Sequence, residues 1–380
     1  MTEHYLLNNG ITVVTELLPH SASVSAGVWV RAGAVDESGD AGARAGISHF
    51  IEHMLFKGTA RRTYRQISED VEKLGGQMNA FTGKEGTCYY VKSLTEHLAE
   101  SLDVLADMVT GSLFDPAEME KEKSVIIEEI KMIEDVPDDW GHDLIEDAVF
   151  SGGTLGHRII GTRESVASIT RDDILAYTAA RYAPDGIVLA ISGKFDADAL
   201  RVTLEDLFGG LSGTARPRLF TPDDGAFPRR TFVRDIEQTH LFFGTKGATY
   251  TSEEIYAYDL YTALLGGGMS SRLFQAVREE QGLAYAVYAS HTPYTRDGQV
   301  VIYAGVADEK AEAAAAAIRA EIVRLAEKPI PAEELARVRE QYKGSYLFRR
   351  ESSSARMFAL GRNQLLSGRI FTEEEILAGA

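Results

Sequence analysis

His49, Glu52 and His53 lie inside one short apolar stretch, Gly46-Ile47-Ser48-His49-Phe50-Ile51-Glu52-His53-Met54-Leu55-Phe56. The run has no proline and is soon followed by Gly58, so it reads as a helix with a stop. In a helix, positions i, i+3 and i+4 share a face, so the two imidazoles and the carboxylate project together. Two imidazoles one turn apart can hold a zinc ion, and the carboxylate between them can reach a water on that metal. The order is H-x-x-E-H, the inverse of the commoner H-E-x-x-H. Ile47, Phe50, Ile51, Met54, Leu55 and Phe56 make the helix apolar nearly all round, which marks it as buried. Buried polar groups need partners, and a metal supplies them. A solvated polar face carrying two histidines is the plainer alternative, and the apolar surroundings argue against it.

A catalytic zinc takes three protein ligands and keeps one position open. Candidates for the third sit on a later helix, opened by Asp115 as N-cap with Pro116 at its first position and ended before Pro137. Its carboxylates include Glu118, Glu120, Glu122, Glu128, Glu129 and Glu134. Helical geometry gathers Met119, Ile126, Ile130 and Ile133 into a narrow arc that faces the core. Glu122 and Glu129 are two turns apart, offset by only about 20°, and share one flank of that arc. Glu128 lies nearly opposite and faces water. For Glu122 and Glu129 the alternative to metal chemistry is a snorkelling or capping carboxylate.

The elements that must position these groups read in order. Residues 5–14 form two strands around an Asn-Gly turn. Residues 21–31 form a strand with at least one buried face, and a polar loop over 36–44 leads into the His-Glu-His helix. Then come a helix over 64–74, paired strands over 77–82 and 87–92, and a helix over 95–113. The helix after Asp115 is followed by more helix to about 150, a buried strand over 187–193 and a helix over 196–207. Glycines and prolines cluster between 209 and 230 among polar residues, which is a linker signature. Beyond it the order repeats: a strand over 240–244, helices over 253–265 and 272–280, strands over 283–290 and 299–304, and an Ala-rich helix over 311–325. The fold class is therefore α+β, with two similar domains, each a mainly antiparallel sheet with helices packed on it. The domains run over 1–210 and 231–380, with the linker at 211–230. The repeated helix near Tyr256-Ala257-Tyr258-Asp259-Leu260-Tyr261 has no ligand set, so one metal per chain is expected.

Composition sets outer limits. A chain of 380 residues with 44% hydrophobic residues is long enough for two cores. A net charge of −18 argues against a nucleic-acid partner and would favour basic peptides. The single cysteine, Cys88, leaves no internal disulfide framework. Residues 1–15 show neither a secretory signal nor an Arg-rich transit pattern, and no apolar run approaches a membrane span. A cytoplasmic protein with no membrane partner is expected.

Over essentially its whole length the chain resembles the pitrilysin-like M16 zinc metallopeptidases, which include pitrilysin, insulin-degrading enzyme and the mitochondrial processing peptidases. It is closest to their short two-domain members. The resemblance implies the M16/LuxS-like metallohydrolase fold. It implies that Glu129, in Ile127-Glu128-Glu129-Ile130, is the third ligand of one Zn2+ beside His49 and His53, and that Glu122 supports catalysis. Gly76-Gln77-Met78-Asn79-Ala80-Phe81-Thr82 resembles the family's edge strand, so Asn79, Ala80 and Phe81 would bind substrate as an added strand. Arg278 and Tyr285, in Arg278-Glu279-Glu280-Gln281-Gly282-Leu283-Ala284-Tyr285, resemble the family's substrate-holding pair. The implied function is a zinc endopeptidase that cleaves unfolded peptides in a closed dimeric chamber, with Glu52 as general base toward zinc-bound water. The implied assembly is a homodimer, with a heterodimer as the variant. The alternative function is a non-catalytic or partner subunit of a heterodimeric M16 peptidase.

Overall fold

In the computed structural model, which describes residues 2–38 and 44–379, β1 (Thr2–Leu6) and β2 (Thr12–Leu17) pair antiparallel around the Asn-Gly turn. Gly10 there takes φ +95°, a left-handed backbone that glycine adopts at little cost. β3 (Ser23–Val30) follows, then α1 (Ile47–Leu55), α2 (Tyr64–Glu72) and the hairpin of β4 (Gln77–Thr82) and β5 (Thr87–Leu94). Part of the loop expected over 36–44, residues 39–43, lies outside the described residues. Next come α3 (Leu98–Gly111), α4 (Pro116–Asp135), α5 (Pro137–Val149) and, further on, β6 (Ile187–Gly193).

Two compact units result. The first gathers residues up to 132, 157–221 and 349–370; the second gathers 133–156, 222–348 and 371–380. The chain passes between them at 221–222, inside the stretch expected as linker, where no helix or strand forms. That stretch is nevertheless fastened. Arg218 donates to Asp36 Oδ1 and Oδ2 at 2.9 and 2.7 Å in the first unit, and Asp223 pairs with Lys246 in the second.

The first unit holds a sheet ordered β1-β2-β6-β3-β5-β4. All its pairings are antiparallel except β2 with β6. α1 packs on β4 and β5, and α3 packs on β5. The opposite face is covered by a helix that sequence patterning did not pick out, Ser353–Ser367, lying on β2, β3 and β6. Its approach explains the small residues of β3: a Cβ at Gly27 would stand 2.6 Å from Met357 Sδ. Both faces of β3 are thus buried.

The second unit holds a sheet ordered β7-β9-β8, from β7 (Thr239–Lys246), β8 (Ala284–Pro293) and β9 (Gly298–Val306). Its core joins Leu265, Leu273, Val277, Ile302, Ala304, Ala314 and Ile318. The helix expected over 272–280 is largely a π-helix, Phe274–Glu279, in which Glu280 N bonds Gln275 O at 2.8 Å. Among the described residues no helix is long and apolar enough to cross a membrane.

Candidate metal centre

α1 is held by its apolar face. Ile47, Phe50, Ile51, Met54 and Leu55 are each at most 1% exposed. Burying each contributes about 1.5–3 kcal/mol, and Phe50→Ala alone would cost about 3–5 kcal/mol. This anchoring leaves His49, Glu52 and His53 half-buried on the remaining face. α4 is capped as expected: Asp115 Oδ1 accepts from Ala117 N at 2.8 Å and Glu118 N at 3.2 Å. It buries Met119, Glu122, Ile126 and Ile130 and exposes Glu128, which pairs with Lys131.

The two helices bring three side chains together. Glu129 Oε1 lies 3.8 Å from His49 Nε2, and its Oε2 lies 3.6 Å from His53 Nε2. The ligand atoms of the trio all fall within 4.8 Å of one another, and among the described residues no other such group forms. The donor set suits zinc: two imidazole nitrogens and a carboxylate oxygen, at spacings close to the roughly 3.3–3.5 Å separating the ligands of a tetrahedral ion. Burial, with the neighbouring His53 adding to it, pushes the His49 pKa down to about 3, so its ring is neutral near pH 7, the form that ligates.

The two imidazoles are supported differently. His53 Nδ1 meets Glu122 Oε2 at 3.1 Å, and Glu122 Oε1 meets Lys57 Nζ at 2.5 Å. Burial would raise the Glu122 pKa, but its bonds to His53 and Lys57 outweigh that and hold it below the usual carboxylate value. Among the described residues, His49 Nδ1 is buried without a partner. Glu52 accepts from Thr82 Oγ1 at 2.5 Å, and its pKa is raised, chiefly by burial. Neither Lys57 nor Thr82 was singled out from sequence. Lys57 falls one helical turn after His53, a spacing that carries a signal; Thr82 is brought to Glu52 only by tertiary packing.

β4 is an edge strand with alternating burial, and Asn79 and Phe81 are on its exposed side. Ala80 N donates to the Asn79 side-chain oxygen at 2.8 Å. In the second unit Arg278 and Tyr285 are neighbours, with the guanidinium carbon 5.4 Å from the tyrosine ring centre. Arg278 sits in the π-helix, and Tyr285 falls at a register break in β8 between Ala284 and Ala286. Such irregularities re-aim side chains, and Tyr285 is 75% exposed.

Comparison with known proteins agrees with this architecture. Residues 12–163 match the family model described as "Insulinase (Peptidase family M16)", and residues 168–342 match that of the "Peptidase M16 inactive domain". A protein described as an uncharacterised zinc protease of Bacillus subtilis is 40% identical, covering 99% of this chain and 91% of its own. A similarly described protein of Streptomyces coelicolor is 35% identical, covering 98% of this chain and 82% of its own. The solved structure of a peptidase M16 inactive domain from Pseudomonas fluorescens superposes with TM-score 0.89 at 19% identity, over 100% of this chain and 94% of that one. A protease from Helicobacter pylori gives 0.87 at 20% identity, over 96% and 89%. These two likenesses speak to the fold alone. The chain belongs to the insulinase-type M16 family of zinc peptidases, with two M16 domains. With the His49–His53–Glu129 group lying in the half matched by the insulinase model, it is a zinc metalloprotease.

Proposed function

We propose that the chain is an endopeptidase for unfolded peptide segments, acting at a single zinc site formed by His49, His53 and Glu129. One observation carries this reading: three ligand atoms within 4.8 Å, on two helices, with Glu52 on the same face of α1. Bound there, zinc would supply Lewis-acid polarisation of the scissile carbonyl and a water acidified toward neutrality.

The chain's own groups do the rest. Glu52 takes the proton of the attacking water on its carboxylate and returns it to the leaving amine. Glu122, braced by Lys57, accepts from His53 Nδ1 and so leaves the Nε2 lone pair facing Glu129. β4, through the backbone at Asn79, Ala80 and Phe81, receives the substrate as an added strand. Tyr285 and Arg278 donate to the substrate backbone and to the developing oxyanion. They act on the zinc site of a second copy, in a dimer that encloses the peptide.

The experiment is metal analysis of the purified chain, then cleavage of an unstructured peptide with and without a chelator. Near-stoichiometric zinc and chelator-sensitive cleavage, restored by zinc, are expected; a metal-free and fully active chain overturns the reading. Mixing Glu52→Gln with Tyr285→Phe chains should restore part of the activity. Absence of rescue would place all the groups in one chain's own site.

A further inference from the structure

α1 lacks the side-chain cap that most helices carry. Its N-cap is Gly46, at φ +87°, and no side chain of its own closes the first turn. The first amides of a helix have no partner within it and, when buried, must find one elsewhere. Here Glu37, only 6% exposed and nine residues before Gly46, supplies both its oxygens. Oε2 accepts from Gly46 N at 2.6 Å, and Oε1 accepts from Ser48 N at 2.9 Å.

Besides the two amides, the Ser48 side chain also bonds the Glu37 carboxyl. The nearby guanidinium groups of Arg181 and Arg218 are taken by Asp36. Among the described residues no lysine or arginine pairs with Glu37. The same turn is held from two further sides. Ser48 Oγ bonds Tyr177 Oη at 2.8 Å. Gly46 also lies so close to Ile160 that a Cβ would stand 2.6 Å from its carbonyl oxygen. His49 is the next residue after Ser48, in the turn so gripped. Among the described residues its imidazole has no hydrogen bond to orient it through Nδ1, whereas His53 is oriented by Glu122. The direction of His49 is therefore set by its backbone.

We propose that Glu37 is a positioning residue for the metal centre: by gripping the Gly46 and Ser48 amides it fixes the turn that aims His49. This rests on the reading that His49, His53 and Glu129 hold zinc. A ligand whose ring lacks an outer partner depends on its backbone anchor, much as other ligands depend on outer hydrogen bonds, whose loss lowers metal affinity roughly 10–100-fold.

The test uses the full chain with Glu37→Gln, which keeps the size but turns an NH2 donor onto one of the two amides. Zinc affinity, read by competition with a chromophoric chelator, should fall at least tenfold, and the visible spectrum of the cobalt-substituted chain should shift. In the zinc-free wild type the Gly46 and Ser48 amides should exchange slowly, and in the variant quickly. Leu204→Ala, in the same unit's core, is the control: it should lower the unfolding temperature and leave zinc affinity unchanged. Should Glu37→Gln fail to fold, Glu37→Asp, one methylene shorter, replaces it. Wild-type zinc affinity in the variant, equal weakening by Leu204→Ala, or fast exchange of both amides in the wild type each overturns the proposal. A wild type that binds no zinc would instead sink the metal reading, and the exchange data would still decide whether Glu37 holds the turn.

Discussion

The strand triplets β3-β5-β4 and β7-β9-β8 have the same order and the same antiparallel pairings, yet they handle polar side chains in opposite ways. In the first, a regular helix, α1, carries the histidines and glutamate at fixed helical spacing. In the second, the corresponding helix Ile255–Gly266 carries Asp259, which pairs with the buried His291 at 2.9 Å and joins no metal-holding group among the described residues. The second triplet instead places its notable side chains where regularity breaks, Arg278 in a π-helix and Tyr285 at a bulge. Metal ligands need constant separation, which a packed helix provides. Side chains that reach for a substrate need exposure, which a bulge provides.

The sharpest way to break this contrast is Glu52→Gln. It leaves the three ligands in place, so zinc content should stay near one per chain. The proton acceptor is gone, so kcat should fall by roughly 10²–10⁴-fold. Metal analysis and peptide cleavage on the same sample check both halves of the statement. Loss of zinc would mean that Glu52 holds the site together rather than moving a proton.

The next largest effect belongs to the other triplet. Tyr285→Phe removes one hydroxyl from a residue that is 75% exposed, so the unfolding temperature and zinc content should not change. A lost oxyanion donor lowers turnover on the order of 10²-fold, and steady-state kinetics on a short peptide would read it. Unchanged kinetics would reduce the bulge to a structural feature.

Lys57→Met sharpens the comparison within the metal site itself. The side chain keeps its stem and loses the charge that braces Glu122. Zinc should bind roughly tenfold more weakly in chelator competition, with the fold intact. An unchanged affinity would mean that Glu122 needs only His53.

Helical periodicity found most of this site because it is a local property. It placed His49, Glu52 and His53 on one face, buried Glu122 and exposed Glu128. The choice of Glu129 over Glu122 as ligand needed the family resemblance. The remainder comes from residues far apart in the chain. Ser353–Ser367 closes the second face of the first sheet, and only contacts across more than 300 residues reveal it, such as Ser25 Oγ to Ser353 Oγ at 3.0 Å. The π-helix of Phe274–Glu279 replaces an expected ordinary helix because its i+5 bond competes successfully with the usual one, which side-chain spacing does not encode. Thr82 beside Glu52 likewise exists only once β4 has formed.

The smallest expected effect tests the face assignment on α4 most cleanly. Glu128 and Glu129 are neighbours in sequence with the same chemistry, so any difference between them comes from direction alone. Glu128 has a side chain 70% exposed and an i,i+3 contact with Lys131, a surface pair worth about 0–0.5 kcal/mol. Glu128→Gln should therefore shift stability by no more than about 0.5 kcal/mol and leave zinc content and turnover at wild-type values. Glu129→Gln removes the charged oxygens that face both imidazoles and should strip the metal. If the two substitutions behaved alike, direction would not be what distinguishes them, and the helical phase that puts Glu129 against His49 and His53 would be wrong by at least one residue.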